Sequence, residues 1–168
     1  MSAPREEINM DLRFKVAGRI SRPVHEVFEA VVDPDQLSKY FTTGGAKGRL
    51  ATGATVTWDF ADFPGAFPVE VVEVEPDRRI VLRWEAADGP QSTSDEPIAG
   101  ATYFTTVTIE FESLADDRTL VTIAEEGWRQ TPEGQRASYG NCEGWTNMLC
   151  CMKAWLEHGI TLRTGFYV

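Results

Sequence analysis

Hydrophobic and polar residues alternate in several stretches of this chain, as in strands that bury one face. In residues 10–20 the apolar face is formed by Met10, Leu12, Phe14, Val16 and Ile20. A period of two over this length is typical of a half-buried strand. The same pattern predicts further strands at residues 55–60, 69–75, 79–85, 102–113 and 119–127.

The segment after the first strand has the signals of two short helices. Ser21 is a suitable N-cap, Pro23 suits a first helical turn, and apolar residues follow at helical spacing. The residue before a proline avoids helical geometry, so we expect this helix to end at Pro34. Asp35 can cap a second helix, and residues 42–45 are predicted to form a loop.

Turn-forming residues separate the later strands. Residues 61–68 hold two prolines and a glycine, which predicts a turn, and residues 76–77 are a tighter one. Residues 88–100 are rich in Gly, Pro, Ser and Asp and predict a mobile loop. Residues 115–118 predict a hairpin turn.

The chain ends in a predicted amphipathic helix, clearest over residues 144–159. We expect it to begin near Gln135 or Ala137 and to end at Gly159, a common C-cap residue. Steps of about 100° per residue give one apolar stripe and one polar face. The stripe is Trp145, Met148, Leu149, Met152, Trp155 and Leu156, and the opposite face is Asn147, Cys150, Lys153, Ala154 and Glu157.

This order of elements predicts an α+β fold. A strand, two helices, a run of strands and one long helix favour an antiparallel sheet with a single covered face. The length of 168 residues suits one domain over residues 1–168, with 42% hydrophobic residues for its core. Residues 1–8 are predicted to be disordered.

The charge of the chain argues against polyanionic partners. It has 16 basic and 26 acidic residues, a net charge of −10, so nucleic acids and anionic membranes should repel it. Arg78, Arg79 and Arg83 are expected to be solvated surface residues. No apolar run approaches the roughly 20 residues of a membrane span, and no signal peptide is evident, so we expect a cytoplasmic protein.

The cysteines and histidines point to no familiar catalytic or metal site. Cys142, Cys150 and Cys151 share one helix, so we expect reduced thiols and neither a disulfide framework nor a metal site. His25 is expected to be solvated, and His158 lies where a cation opposes the helix dipole. Catalytic triads have poor support, and no phosphate or dinucleotide motif is present, so no cofactor is expected.

Four segments resemble the START-like (SRPBCC) superfamily, in particular its Aha1-type (activator of Hsp90 ATPase homologue) bacterial branch. They are residues 20–28, 37–41 and 119–127, and the last helix from Gly144-Trp145 through Leu149 to Leu156-Glu157. The resemblance implies a helix-grip fold, with a curved antiparallel sheet wrapped around a long C-terminal helix. It also implies a largely apolar cavity that binds hydrophobic small molecules more often than it catalyses reactions. A fold does not fix a function, so this step is analogy.

Bulky side chains are predicted to line that cavity. The inward-facing set is Trp58, Phe60, Trp84, Tyr103, Trp128, Trp145, Met148 and Met152. Core packing explains each one alone, but large aromatics and flexible methionines on opposite walls favour a cavity. Tyr103 and Tyr139 could offer hydroxyl groups at its mouth, with Tyr40 and Phe41 as a lip.

Glu125 is the main polar candidate. Strand alternation places it beside Val121 and Ile123, facing the helix, with Glu126 facing solvent. A carboxylate next to an apolar cavity has a raised pKa and could hold a ligand or act as a base. The alternative is that Glu125 lies at the strand end and reaches water. The resemblance implies a histidine at this position in many relatives.

These features favour binding of a lipid-like or polyketide-like hydrophobic small molecule, with no catalysis required. One alternative is a polyketide-cyclase-like enzyme with Glu125 as general base, assisted by Tyr103 or Tyr139. Another is an Hsp90-type co-chaperone or protein-interaction module, although no sequence feature specifies a chaperone surface. The ligand's identity and a homodimeric state are left open.

Overall fold

The computed structural model describes residues 11–88 and 102–168. Its strands are β1 (Arg13–Ile20), β2 (Gly45–Lys47), β3 (Thr55–Phe60), β4 (Phe63–Glu75), β5 (Arg79–Glu85), β6 (Phe104–Leu114) and β7 (Arg118–Glu126). Its helices are α1 (Val24–Val32), α2 (Pro34–Tyr40) and α3 (Pro132–His158). The predicted disorder of residues 1–8 and nearly all of the predicted loop at 88–100 fall outside the described residues.

The described strands form one antiparallel sheet in the order β1-β7-β6-β5-β4-β3-β2. The first strand therefore lies beside the last one, and Glu125 on β7 has Phe14 of β1 and Val107 of β6 as its neighbours. Along β6 and β7 the predicted alternation is confirmed, because Val107, Ile109 and Ile123 are fully buried. This alternation turns Glu125 toward the covered face.

Helix α3 packs across that face and completes the helix-grip fold. Its residues Trp145, Met148 and Met152 are at most 2% exposed and belong to one core with the sheet and the two short helices. The helix ends where predicted, because Gly159 is a C-cap in the left-handed region, with φ of 65°.

All three helices begin at other residues than predicted. Helix α3 starts at Pro132, because Oγ1 of Thr131 accepts the Gly134 N–H at 3.0 Å and caps it. The apolar stripe begins later than this cap, so a start near Gln135 or Ala137 was wrong. The sequence Thr131-Pro132 was the signal for the true start.

The N-cap residues of α1 and α2 also differ from the predicted ones. The N-cap of α1 is Pro23, without a side-chain hydrogen bond, and not Ser21. The N-cap of α2 is Asp33, whose carboxylate accepts the Asp35 N–H at 2.9 Å. Pro34 ends α1 as predicted and also opens α2, because a proline lacks an N–H and is tolerated in a first turn.

The predicted turn at residues 61–68 is a strand for most of its length. The chain reverses within two residues, so that Phe60 lies opposite Phe63, and β4 continues through both prolines. A register shift in the β3–β4 pairing accompanies this arrangement, and prolines are tolerated at such irregularities. Part of the predicted loop at residues 42–45 instead opens β2, which pairs with β3.

The polar face of α3 is narrower than predicted. Asn147 is only 7% exposed and accepts a hydrogen bond from Sγ of Cys151 at 3.4 Å. Both the sheet and helix α2 contact α3, so these two neighbours together cover a wider arc of the helix than the sheet alone would. Cys150 is exposed, as predicted.

Candidate functional site

The carboxylate of Glu125 lies at the centre of a cluster of hydrogen-bond donors. Oε1 accepts from Nε1 of Trp84 at 2.8 Å and from Oγ1 of Thr105 at 2.7 Å. Oε2 accepts from Nε1 of Trp145 at 2.8 Å. Nδ2 of Asn141 reaches both oxygens, at 3.0 and 3.2 Å. Strands β5, β6 and β7 and helix α3 are thereby joined at one point.

Glu125 is 1% exposed, so the alternative that it reaches water is wrong. Burial raises the pKa of its carboxyl above the ordinary glutamate value, and the hydrogen bonds from Trp84, Thr105, Trp145 and Asn141 oppose that rise. All four of these donors are uncharged. Among the described residues the carboxyl group of Glu125 is therefore held by neutral dipoles, with no cation among its hydrogen-bond partners.

Next to this cluster lies a cleft of about 430 Å³. It is lined by Phe41, Phe60, Phe63, Trp84, Gly140, Asn141, Glu143, Gly144, Trp145, Arg163 and Tyr167. Small-molecule sites have this character, with mostly apolar walls and a few polar groups.

Aromatic rings in close contact form the wall of the cleft. The ring of Trp145 lies 5.3 Å from that of Phe41, nearly parallel at 28°, and 5.4 Å from that of Trp84. Trp84 and Trp145 are also the two indoles that donate to Glu125. The buried carboxylate thus fixes the orientation of two rings that line the cleft.

The segment after α3 contributes a buried cation to the cleft. Arg163 is 7% exposed and donates from Nε and Nη2 to the Asp62 carboxylate, at 2.9 and 3.0 Å. Its guanidinium also lies 4.9 Å from the centre of the Phe60 ring and 5.3 Å from that of Tyr167. Sequence reasoning missed this group, because 101 residues separate Arg163 from Asp62.

Of the residues predicted to line a cavity, Phe60, Trp84 and Trp145 line this cleft. Trp58, Met148 and Met152 do not line it, because they are buried in the core. Glu125 lies behind Trp84 and Trp145, in hydrogen-bond contact with residues of the wall.

The remaining predicted residues lie elsewhere. The Tyr103 hydroxyl donates to Asp88, and Trp128 packs its ring 5.5 Å from that of Phe14. Tyr139 is 66% exposed. None of Tyr103, Trp128 and Tyr139 lines the cleft.

Only half of the predicted lip is found at the cleft. Phe41 lines it, but the Tyr40 side chain points into the core and donates to the Ala30 carbonyl at 2.8 Å. Adjacent residues of a helix end project in different directions, so the two rings could not share one rim.

A second concavity of about 520 Å³ lies mostly on the outer face of β1, β6 and β7. Its lining includes Arg13, Lys15, Glu110 and Glu126, so charged and solvated side chains dominate it. Glu126 faces this side as predicted. The aromatic cleft has the more suitable chemistry for an apolar ligand.

Two further properties follow from the described part of the chain. Residues 11–88 and 102–168 contain no group of three or more His, Cys, Asp or Glu side chains placed to hold a metal ion. Over the same residues, no helix is long and apolar enough to cross a membrane.

The family model "Activator of Hsp90 ATPase homolog 1-like protein" matches residues 21–157. The chain belongs to this family. The match begins before α1 and ends in the last turn of α3, so it covers the Glu125 cluster and most of the cleft. Arg163 and Tyr167 lie beyond it.

Solved structures have the same fold as this Aha1-like chain. Protein SSP2350 from Staphylococcus saprophyticus is 26% identical, with a TM-score of 0.67 over 89% of this chain and 96% of that one. DynU16, a protein in the dynemicin biosynthetic locus, is 26% identical, with a TM-score of 0.69 over 89% of this chain and 48% of that one.

The Aha1 dimer from Colwellia psychrerythraea is 19% identical, with a TM-score of 0.66 over 88% of this chain and 97% of that one, and it supports the fold alone. A search of curated proteins found no match.

Proposed function

We propose that this Aha1-like protein binds a hydrophobic small molecule in the cleft between the sheet and α3. The observation that carries the proposal is the aromatic wall, which is open to a cleft of about 430 Å³. Apolar walls with few polar groups are what small-molecule sites provide. The similarity to a protein in a biosynthetic locus supports a small-molecule role for the same fold.

The geometry of Glu125 favours binding over the cyclase-like alternative. Each carboxylate oxygen accepts an indole N–H, and Asn141 and Thr105 occupy further lone pairs. A general base must reach the proton that it takes, directly or through one water. Glu125 would have to lose donors such as Asn141 before it could do so, which makes it a positioning group for Trp84 and Trp145.

A thermal-shift and tryptophan-fluorescence screen tests the proposal. The panel comprises fatty acids, sterols and aromatic polyketides, and binding near Trp84 and Trp145 is expected to raise the melting temperature and change the emission. Gly144 lines the cleft, and a Cβ there would meet nothing within 4 Å, so Gly144→Leu should fill the cleft without disturbing the core.

Thr146→Leu is the matched control, because Thr146 is exposed on the same helix and does not line the cleft. We expect ligand shifts to disappear in Gly144→Leu and to persist in Thr146→Leu. The proposal is wrong if no apolar ligand affects the wild-type protein, or if Gly144→Leu responds as the wild type does.

A further inference from the structure

The side chain of Asn141 lines the cleft, and its orientation is fixed by Glu125, which lies behind the wall. Nδ2 of Asn141 donates to both oxygens of Glu125. A carboxamide has one donating and one accepting end, so Asn141 turns Oδ1 away from the Glu125 carboxylate. Over the described residues, no donor bonds to this Oδ1, and protein atoms do not enclose it. The wall therefore presents a hydrogen-bond acceptor of fixed direction.

A donor faces the same cleft from the C-terminal segment. Asp62 occupies Nε and Nη2 of Arg163, which fixes the plane of the guanidinium. Nη1 of Arg163 has no hydrogen-bond partner in residues 11–88 and 102–168, and it is not enclosed. Arg163 lines the cleft, so this N–H group is available to a ligand.

The charges around the cleft disfavour an anionic ligand. The carboxylate of Asp62 balances the cation of Arg163, and both side chains are at most 9% exposed. Glu143 adds a carboxylate to the lining. A neutral carbonyl can accept from Nη1 without bringing a second negative charge to the paired guanidinium.

The wall also indicates the shape of the ligand's body. Phe41, Trp84 and Trp145 line the cleft, and the ring of Trp145 is within stacking distance of both of the other two. A pair of aromatic rings that stack or meet edge to face contributes more binding free energy than the burial of their apolar area alone. A flat aromatic body therefore suits this wall better than a flexible alkyl chain.

We propose that the cleft selects a neutral, planar aromatic molecule that bears both a hydroxyl or N–H donor, bound by Oδ1 of Asn141, and a carbonyl acceptor, bound by Nη1 of Arg163. This inference rests on the proposed function and adds the class of ligand. Arg163 lies beyond the residues matched by the family model, so recognition of the carbonyl belongs to the C-terminal segment of this chain.

Five naphthalene probes separate these contributions by isothermal titration calorimetry. They are naphthalene, 2-naphthol, 2-acetylnaphthalene, 6-hydroxy-2-acetylnaphthalene and 2-naphthoate. One hydrogen bond improves affinity by about fivefold, so the molecule with both groups should bind tightest and naphthalene weakest of the neutral probes. 2-Naphthoate should bind no more tightly than 2-acetylnaphthalene.

Two variants assign the groups to their partners. Arg163→Lys keeps a cation for Asp62 but loses the rigid fork, and should remove the gain from the acetyl group only. Asn141→Leu should remove the gain from the hydroxyl group only. General damage to the cleft would weaken all probes alike, so this crossed pattern is specific to the two contacts. Melting curves establish that both variants are folded.

Equal affinities of the neutral probes, with binding still blocked by Gly144→Leu, would overturn this inference and leave the proposed function standing. Tighter binding of 2-naphthoate than of 2-acetylnaphthalene would also overturn it. Failure of all five probes to bind overturns it too, and the separate panel of apolar ligands then decides the proposed function.

Discussion

The indole nitrogen of Trp145 lies 2.8 Å from Oε2 of Glu125, and the two side chains are at most 2% exposed. Trp58 is buried to the same degree, but its Nε1 finds no hydrogen-bond partner within the described part of the chain. Of these two buried indoles of one core, only that of Trp145 donates to a carboxylate.

We predict that Trp145→Phe destabilises the protein by at least about 1.5 kcal/mol more than Trp58→Phe. Both changes remove similar ring volume, but only Trp145→Phe removes a hydrogen bond to a carboxyl oxygen, which contributes about 1.5–3 kcal/mol when the carboxyl group is ionised. Urea denaturation measures both free energies of unfolding. Equal losses would mean that the Trp145–Glu125 hydrogen bond adds no net stability.

Glu125 should also make stability depend on pH. Its pKa is raised in the folded protein above the ordinary value of 4.5, chiefly by burial. A carboxyl with a raised folded-state pKa favours folding fully below the unfolded value, and this contribution is lost as pH rises through the folded value. The free energy of unfolding of the wild type, relative to Glu125→Gln, should therefore fall as pH rises from 4.5.

The Gln variant is the reference because its side chain does not titrate. The pKa values of Glu29 and Glu157 are lowered, by the hydrogen bond to Arg49 and by the hydrogen bonds of Glu157 with Lys153 and Ser21. Glu29 and Glu157 therefore give the free energy of unfolding the opposite pH dependence. This contribution is the same in the wild type and in Glu125→Gln, so it cancels when one free energy is subtracted from the other. Denaturation at several pH values checks the sign, and a difference that is constant or grows with pH would contradict it.

The sequence was sufficient for the fold class because most of the strands carry their own alternation, whereas β2 and the first part of β4 do not and were missed. The face of the sheet on which Glu125 lies followed from the same period, since Val121 and Ile123 share it, but the period did not decide whether the carboxylate reaches water. Its donors could not be predicted, because Trp84, Thr105 and Asn141 belong to three different elements. Their meeting depends on the register between strands and on the rotation of α3.

Sequence patterns also could not predict which apolar residues line the cleft and which are buried in the core. Met148 and Trp145 belong to one apolar stripe, yet only Trp145 reaches the cleft. A stripe defines the face of a helix but not how deeply each residue is covered. Arg163 illustrates the same limit, since its partner Asp62 lies in a tight turn 101 residues earlier in the chain.

The pair between Arg163 and Asp62 should hold the C-terminal segment against the cleft. Asp62→Asn would leave a buried guanidinium without its countercharge, which typically costs about 3–5 kcal/mol unless the segment detaches. We therefore predict faster chymotryptic cleavage near Phe166 and Tyr167 in this variant. Both residues lie in the segment that Arg163 anchors.

The more exposed pair of Arg49 and Glu29 provides the control for that experiment. Its side chains are 52% and 26% exposed, and exposed pairs contribute only about 0–1 kcal/mol. Glu29→Gln should leave cleavage near the C-terminus unchanged. Unchanged cleavage in Asp62→Asn as well would show that the aromatic contacts hold the segment without the ion pair.

Two glycines of α3 should respond in opposite ways to alanine. A Cβ on Gly134 would lie 2.1 Å from the Arg129 carbonyl oxygen, so Gly134→Ala forces the first turn of the helix away from the backbone before it. Overpacking of this kind costs about 1–3 kcal/mol. A Cβ on Gly140 would meet nothing within 4 Å, and alanine is favoured over glycine in helices by about 1 kcal/mol. Gly134→Ala should therefore lower the melting temperature and Gly140→Ala should raise it, and a loss of stability in both variants would contradict the close approach at Gly134 as the cause.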